Sequence, residues 1–171
     1  MADVLIYWRD YAENRGTLSG KASGLQDDGG VLVWHSSAKC IADLQPGDRM
    51  WMVTSGKGLG DRRAACSTEL GGQAAFLVGV WAVREVTDNP NDDPAYPAED
   101  YRKRVVADPS GSVMLTDPVP VDHILRPAGR DRAVSIGRFL QGPRVLSDEK
   151  KRLLRAAAGG ELAAEWLRSK V

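Results

Sequence analysis

Cysteine is scarce. The 171 residues hold two, Cys40 and Cys66, far apart and without a CxxC pair. Zinc ribbons and dithiol redox motifs need closely spaced thiols, so neither class fits, and reduced thiols in a cytoplasmic setting are expected. Long apolar runs are missing too. The stretch from Ala74 to Val83 falls well short of the ~20 residues that span a bilayer, and Asp3 stands where a secretory signal would carry basic residues. No membrane partner is expected. Net charge is also lacking: 23 basic side chains balance 23 acidic ones, which removes any strong overall attraction to nucleic acid. Phenylalanine is rare, two residues against five tryptophans.

What remains is ordinary globular material, 43% hydrophobic and 27% charged, enough for a single folded domain over residues 1–171. The charge balance hides an asymmetry. Residues 1–100 carry 9 basic and 15 acidic side chains, and residues 101–171 carry 14 and 8, so the two parts sum to −6 and +6. The C-terminal part is therefore the candidate anion-facing surface.

Short β-branched and aromatic runs predict strands at Val4–Trp8, Val31–Trp34, Arg49–Thr54 and Ala74–Val86. Gly79, inside the last of these, marks a place where another backbone or a ligand comes close. Tyr101–Ala107 and Ser112–Thr116 read as a hairpin reversing at Asp108-Pro109-Ser110-Gly111. The turn Gln45-Pro46-Gly47-Asp48 follows a brief helix that Ser36 or Ser37 can cap. The glycine-rich stretch 14–30 reads as loop or weak helix, the stretch 55–73 as a long connection that is either functional or disordered, and the acidic, proline-containing stretch 87–100 as a loop. Ser147 is suited to cap a helix that ends near Gly159-Gly160, with a second short helix over Glu161–Arg168. Strands early and helices late give an α+β class, drawn as a small curved mixed β-barrel with short helices around it and a C-terminal helical segment.

Several motifs fall short of a known chemistry. Gly56-Lys57-Gly58-Leu59-Gly60 follows a strand, but it has neither the GxGxxG nor the GxxxxGK spacing of a phosphate loop and reads as a plain loop. His35, Cys40, Cys66 and His123 lack metal-ligand spacing. No GxSxG elbow accompanies the histidines, and the adjacent His35-Ser36 pair would point to opposite faces of a strand. Neither a catalytic residue, a cofactor nor a metal is expected. The tryptophans say more. Trp51 and Trp81 lie in strand interiors and read as core, and Trp166 as helix packing. Trp8 and Trp34 lie at strand ends, where an indole either packs in the core or stacks on a base.

The order of these segments resembles the EVE and YTH members of the PUA-like superfamily. The resemblance rests on Val31-Leu32-Val33-Trp34-His35-Ser36-Ser37, on Leu44-Gln45-Pro46-Gly47-Asp48-Arg49-Met50 and on Phe76-Leu77-Val78-Gly79-Val80-Trp81-Ala82-Val83. It continues through Tyr101-Arg102-Lys103-Arg104-Val105, Pro118-Val119-Pro120-Val121 and Arg138-Phe139-Leu140-Gln141-Gly142, so that it covers most of residues 3–157. It implies a PUA-like barrel without catalytic activity, whose aromatic cage holds a modified base of DNA or RNA, methylation being the modification expected. Trp34 matches a cage wall, Ser36 and Ser37 match its polar neighbours, and Tyr7, Trp8 and Arg9 match the end of the first strand. His35 belongs to the same run. Where YTH proteins supply a second cage tryptophan, this sequence offers Tyr96.

A nucleic-acid reader with a base pocket at these residues is thus the leading expectation. Arg126, Arg130, Arg132, Arg138 and Arg144 are its phosphate contacts, arginine being suited to bidentate phosphate binding. The alternative for these arginines is pairing with the acidic loop around Asp88, Asp92 and Asp93. Two other classes stand beside the reader. One is a small-molecule sensor or ASCH-like enzyme on the same barrel, using Lys39 and Tyr7 for acid–base work. The other is a protein-interaction module.

Overall fold

The computed structural model describes residues 2–9, 11, 25–26, 31–59, 73–127 and 134–168. In chain order the elements are β1 (Asp3–Tyr7), β2 (Leu25–Gln26), β3 (Val31–Ser36), α1 (Lys39–Ala42), β4 (Arg49–Ser55) and β5 (Ala75–Asp88). They continue with β6 (Lys103–Pro120), α2 (Asp122–Leu125), α3 (Ile136–Phe139), β7 (Arg144–Val145) and α4 (Asp148–Arg168). One seven-stranded sheet runs β2-β3-β6-β5-β4-β1-β7. β1 pairs parallel to β4 and the other neighbours pair antiparallel. The sheet curls into a half-barrel with a few short helices, a curved α+β fold. Its strand order ends at β2 and β7, so among the described residues the barrel is open.

Strand alternation sorts the apolar residues into two cores. Val4, Ile6 and Trp8 of the first segment join Met50, Met52, Phe76, Val78, Trp81, Val105 and Ala107, with Ile41 of α1 and Leu44 packed on the same side. Leu5, Trp51, Val53, Leu77, Val80, Val113 and Leu115 form the other core, covered by Ile124 and Leu125 of α2, Ile136 of α3, and Leu154 and Ala158 of α4. Each large apolar side chain buried this way contributes about 1.5–3 kcal/mol. Trp51 and Trp81 are both core residues, as their strand positions predict. Their indole N–H groups are satisfied by Asp3 Oδ2 at 3.2 Å and Met114 Sδ at 3.2 Å.

The expected hairpin at residues 101–116 is not one. Both halves belong to β6 and pair with the same partner: Val83 faces Ala107, Ala82 faces Asp108, and Val80 faces Val113. Asp108–Gly111 is therefore a bulge that takes up the extra length, held by Ser110 N–H and Oγ on Asp108 and by Ala82 N–H on Ser112 Oγ at 3.0 Å. Proline and glycine serve a bulge as well as a turn, which is why composition could not separate the two. Two other local expectations change. α4 runs unbroken through Gly159-Gly160, in place of two helices. α1 has Ala38 as its N-cap with no side-chain cap, because Ser36 Oγ accepts from Ala38 N–H at 3.1 Å and Ser37 Oγ is bonded elsewhere. Ser147 does cap α4, accepting from Lys150 N–H at 3.3 Å. The turn before β4 is present as well. Asp48 accepts from Gln45 N–H and Ala2 N–H, and Gly47 takes a φ of 89°.

Candidate functional site

The residues expected to form one pocket occupy three places. Trp8 and Trp34 meet, but inside an aromatic cluster with Trp81 and Tyr11. Ring centroids lie 6.4 Å apart for Trp8–Trp34 and Trp34–Trp81, and 5.8 Å for Trp8–Trp81, with the planes at 76–80°. These are separations of rings in direct edge contact, so the indoles fill the space between one another. Trp8 is 2% exposed and is a core residue. Trp34 is half-buried against the same cluster.

His35 is buried on the other face of β3 and stacks on Tyr96, ring centroids 4.8 Å apart and planes 17° apart. Tyr96 in turn meets Tyr101 edge-on at 5.3 Å. His35 lies opposite Arg104 in the β3–β6 register. Burial, reinforced by the Arg104 charge, holds its pKa below the ordinary 6.5, against the weaker opposing pull of Asp93 and Asp92. The lowered pKa favours the neutral imidazole. Ser37 fastens the acidic loop to this edge, donating to Asp100 O at 2.6 Å and accepting from Arg102 N–H at 2.9 Å. Ser36 and Ser37 are therefore both engaged with backbone groups.

Tyr7 and Arg9 lie elsewhere again, in a cleft of about 360 Å³ lined also by Ser55, Lys57, Gly58, Gln73 and Ser135. The cleft sits where β1 and β4 end side by side, a consequence of their parallel pairing. Alternation along β1 turns Tyr7 to the face opposite Trp8. The Tyr7 ring lies against Gly137 at the start of α3, where an added Cβ would come within 2.6 Å of it. The Tyr7 hydroxyl is 3.4 Å from Ser55 Oγ, which also accepts from Gly58 N–H at 3.1 Å. Gly58 is required by close approach: a Cβ there would stand 2.1 Å from Thr54 Oγ1 and 3.2 Å from Arg9 O. Arg9 and Lys57 are exposed and bring two cations to the cleft. Sequence reasoning named Tyr7 and Arg9 but missed Lys57, Ser55, Gln73 and Ser135. The glycines flanking Lys57 were the available signal, set aside because their spacing is not that of a phosphate loop.

The arginine set also divides. Arg130 and Arg132 lie outside the described residues. Arg138 and Arg144 are exposed; the Arg144 guanidinium lies 4.9 Å from the centre of the Phe139 ring and bonds to Phe139 O. Arg126 corrects the expectation. It is 1% exposed, with its guanidinium on Asp122, so it faces the interior and not a phosphate. Among the described residues Asp92 and Asp88 pair with β6, through Arg104–Asp92 at 3.1 Å and Lys103–Asp88 at 2.6 Å. Lys39 is exposed on α1, which packs on the Trp8 face of the sheet, away from Tyr7. Among the described residues no three His, Cys, Asp or Glu side chains are grouped to hold a metal ion, and no helix is long and apolar enough to cross a membrane.

No family model and no curated protein matches the chain. Among solved structures, the NMR structure of Rpa0253 from Rhodopseudomonas palustris, a structural-genomics target, aligns over 93% of this chain and 94% of its own. The identity is 13% and the TM-score 0.49.

Proposed function

We propose that the protein is a non-catalytic nucleic-acid-binding module of the PUA-like kind, seating one displaced, modified base in the Tyr7 cleft. The observation that carries this reading is the cleft's composition: a phenol ring, two cations and serine hydroxyls converge at the ends of two parallel strands. An aromatic face stacks on a base whatever its identity, and cations at the rim attract the adjoining phosphates. The resemblance to EVE and YTH sequences contributes the modified base. Arg138 is exposed on α3, next to the Gly137 that Tyr7 contacts.

A second reading, a sensor for a free nucleotide, is favoured by the volume. At about 360 Å³ the cleft is within the size range of small-molecule sites. One titration separates the two. Intrinsic fluorescence or polarisation is followed with single-stranded RNA and DNA oligonucleotides carrying methylated or unmodified bases, and with the corresponding mononucleotides. Tighter binding of a modified oligonucleotide, weakened by Lys57→Ala and by Tyr7→Ala, supports the module; preference for the mononucleotide supports the sensor. Binding of neither, or binding untouched by both substitutions, refutes the cleft as the seat.

A further inference from the structure

The cleft's far wall is made by two segments distant in sequence, Gln73 just before β5 and Ser135 just before α3. Neither is held there by a strand ladder. Both are tied to one buried side chain, Arg126. Its guanidinium donates to Gln73 O at 3.1 Å and to Val134 O, next to Ser135, while Nε donates to Asp122 Oδ1 at 2.9 Å. Asp122 Oδ1 also accepts from Ala75 N–H at 3.0 Å, and Ile136 N–H reaches Gln73 O at 3.3 Å. Arg126 and Asp122 thus join the start of β5, α2 and the entrance to α3 in one buried knot.

We infer that Arg126 is the positioning residue of the cleft, the group that holds Gln73 and Ser135 at the spacing a ligand meets. This rests on the cleft being the binding seat. A buried ion pair contributes little net stability, since desolvating both charges offsets their attraction, and an apolar pair would fill the same space. What an apolar pair lacks is the ability to fasten two carbonyls from separate segments while anchored to a third. The planar guanidinium has five donors in a fixed fork, which suits this task; the lysine ammonium has three on a flexible stem and cannot reproduce the geometry. The exposed arginines would act on a ligand's charge, whereas Arg126 acts through the position of the wall.

The test is Arg126→Lys, which keeps the charge and loses the fork. Two measurements are made on the full chain. In hydrogen exchange, the amides of Ala75 and Ile136 and those of α3 lose protection while the β4–β5 ladder keeps its own. With a short single-stranded RNA carrying a methylated base and with AMP as probes, affinity per folded molecule falls on the order of tenfold, equivalent to about 1.4 kcal/mol. In a double-mutant cycle with Ser135→Ala the losses are less than additive, because the second substitution removes a group the first has already displaced. Uniform loss of protection across the sheet, or unchanged affinity per folded molecule in a protein that binds the probes, overturns the inference. Should Arg126→Lys not fold, Asp122→Asn keeps an acceptor for Ala75 N–H and is read by the same criteria with a smaller expected loss. If the unaltered protein binds neither probe and none of the methylated oligonucleotides, the proposed function fails, and the exchange pattern alone decides whether Arg126 holds the two segments.

Discussion

Tyr7 and Trp8 are neighbours in the chain and face opposite sides of the sheet: Trp8 is buried among Trp81, Trp34 and Tyr11, while Tyr7 opens into the cleft against Gly137. This alternation divides what the sequence presents as one pocket. A motif of consecutive residues at a strand end thus serves two faces of the sheet.

The first prediction follows from that division. Trp34→Ala removes an indole packed on Trp8 and Trp81, and because Trp34 is half-buried the cost falls near the low end for aromatic truncation, about 3 kcal/mol. Affinity for an oligonucleotide, per folded molecule, stays unchanged. Denaturant titration and binding on the same variant check both; lost affinity at preserved stability would move the seat from the cleft to Trp34.

His35 gives the second. Its folded pKa is depressed by burial and by Arg104, so the folded state binds the proton less readily than the unfolded one. The resulting stability is complete above the unfolded value near 6.5 and is lost as pH falls below it toward the lowered folded value. Denaturation midpoints should therefore drop as pH falls below about 6.5. His35→Phe, which keeps the stack on Tyr96, should flatten that slope. A slope equal in the two proteins would show that other groups set it.

The periodicities that were legible in the sequence were those that packing enforces. Trp51 and Trp81 in the core, the turn at Gly47 and the cap at Ser147 each follow from a local rule that tertiary structure did not override. Gly79 was legible too, and it gives the third prediction. A Cβ there would stand 2.8 Å from Val113 O and 2.7 Å from Met114 Sδ, so Gly79→Ala forces apart the β5 and β6 backbones. The expected loss is about 1–3 kcal/mol, read by chemical denaturation. Adding Met114→Ala should recover little, because the Val113 carbonyl remains; full recovery would mean that only the flexible thioether was in the way.

The cleft was less legible because its parts come from β1, β4, the start of β5 and the entrance to α3, which parallel pairing and the Arg126 knot bring together. No short motif records that assembly. Arg126 misled for the same reason: in composition it is one more arginine in a basic window, and only its position against Asp122, Gln73 and Val134 makes it an interior residue.

Charge gives the fourth prediction. If exposed Arg138 meets a phosphate of single-stranded nucleic acid, its removal should make the logarithmic salt dependence of affinity shallower by about 0.7, the release expected per phosphate on a single strand. Arg126→Lys should weaken binding equally at every salt concentration, since its side chain is sealed from the ligand. Affinity measured across a salt series for both variants separates the roles. A shallower slope for Arg126→Lys would place that arginine at a phosphate after all.

The contact between Tyr7 and Gly137 allows the seat itself to be tested without removing a charge. A Cβ at Gly137 would lie 2.6–3.0 Å from three atoms of the phenol, too close for any side chain. The rigid ring or the first turn of α3 must shift, and because Tyr7 lines the cleft, the displacement changes the surface a ligand meets. Gly137→Ala should therefore lower affinity for an oligonucleotide by about tenfold. Its cost in stability should be modest, since α3 is a single turn and alanine favours helix by up to ~1 kcal/mol over glycine. Tyr7→Phe is the control: it removes only the hydroxyl near Ser55 Oγ, so an effect of Gly137→Ala that exceeds it belongs to the ring's position. Unchanged affinity in Gly137→Ala, with the ring shown by tyrosine NMR shifts to have moved, would mean that no ligand rests on Tyr7.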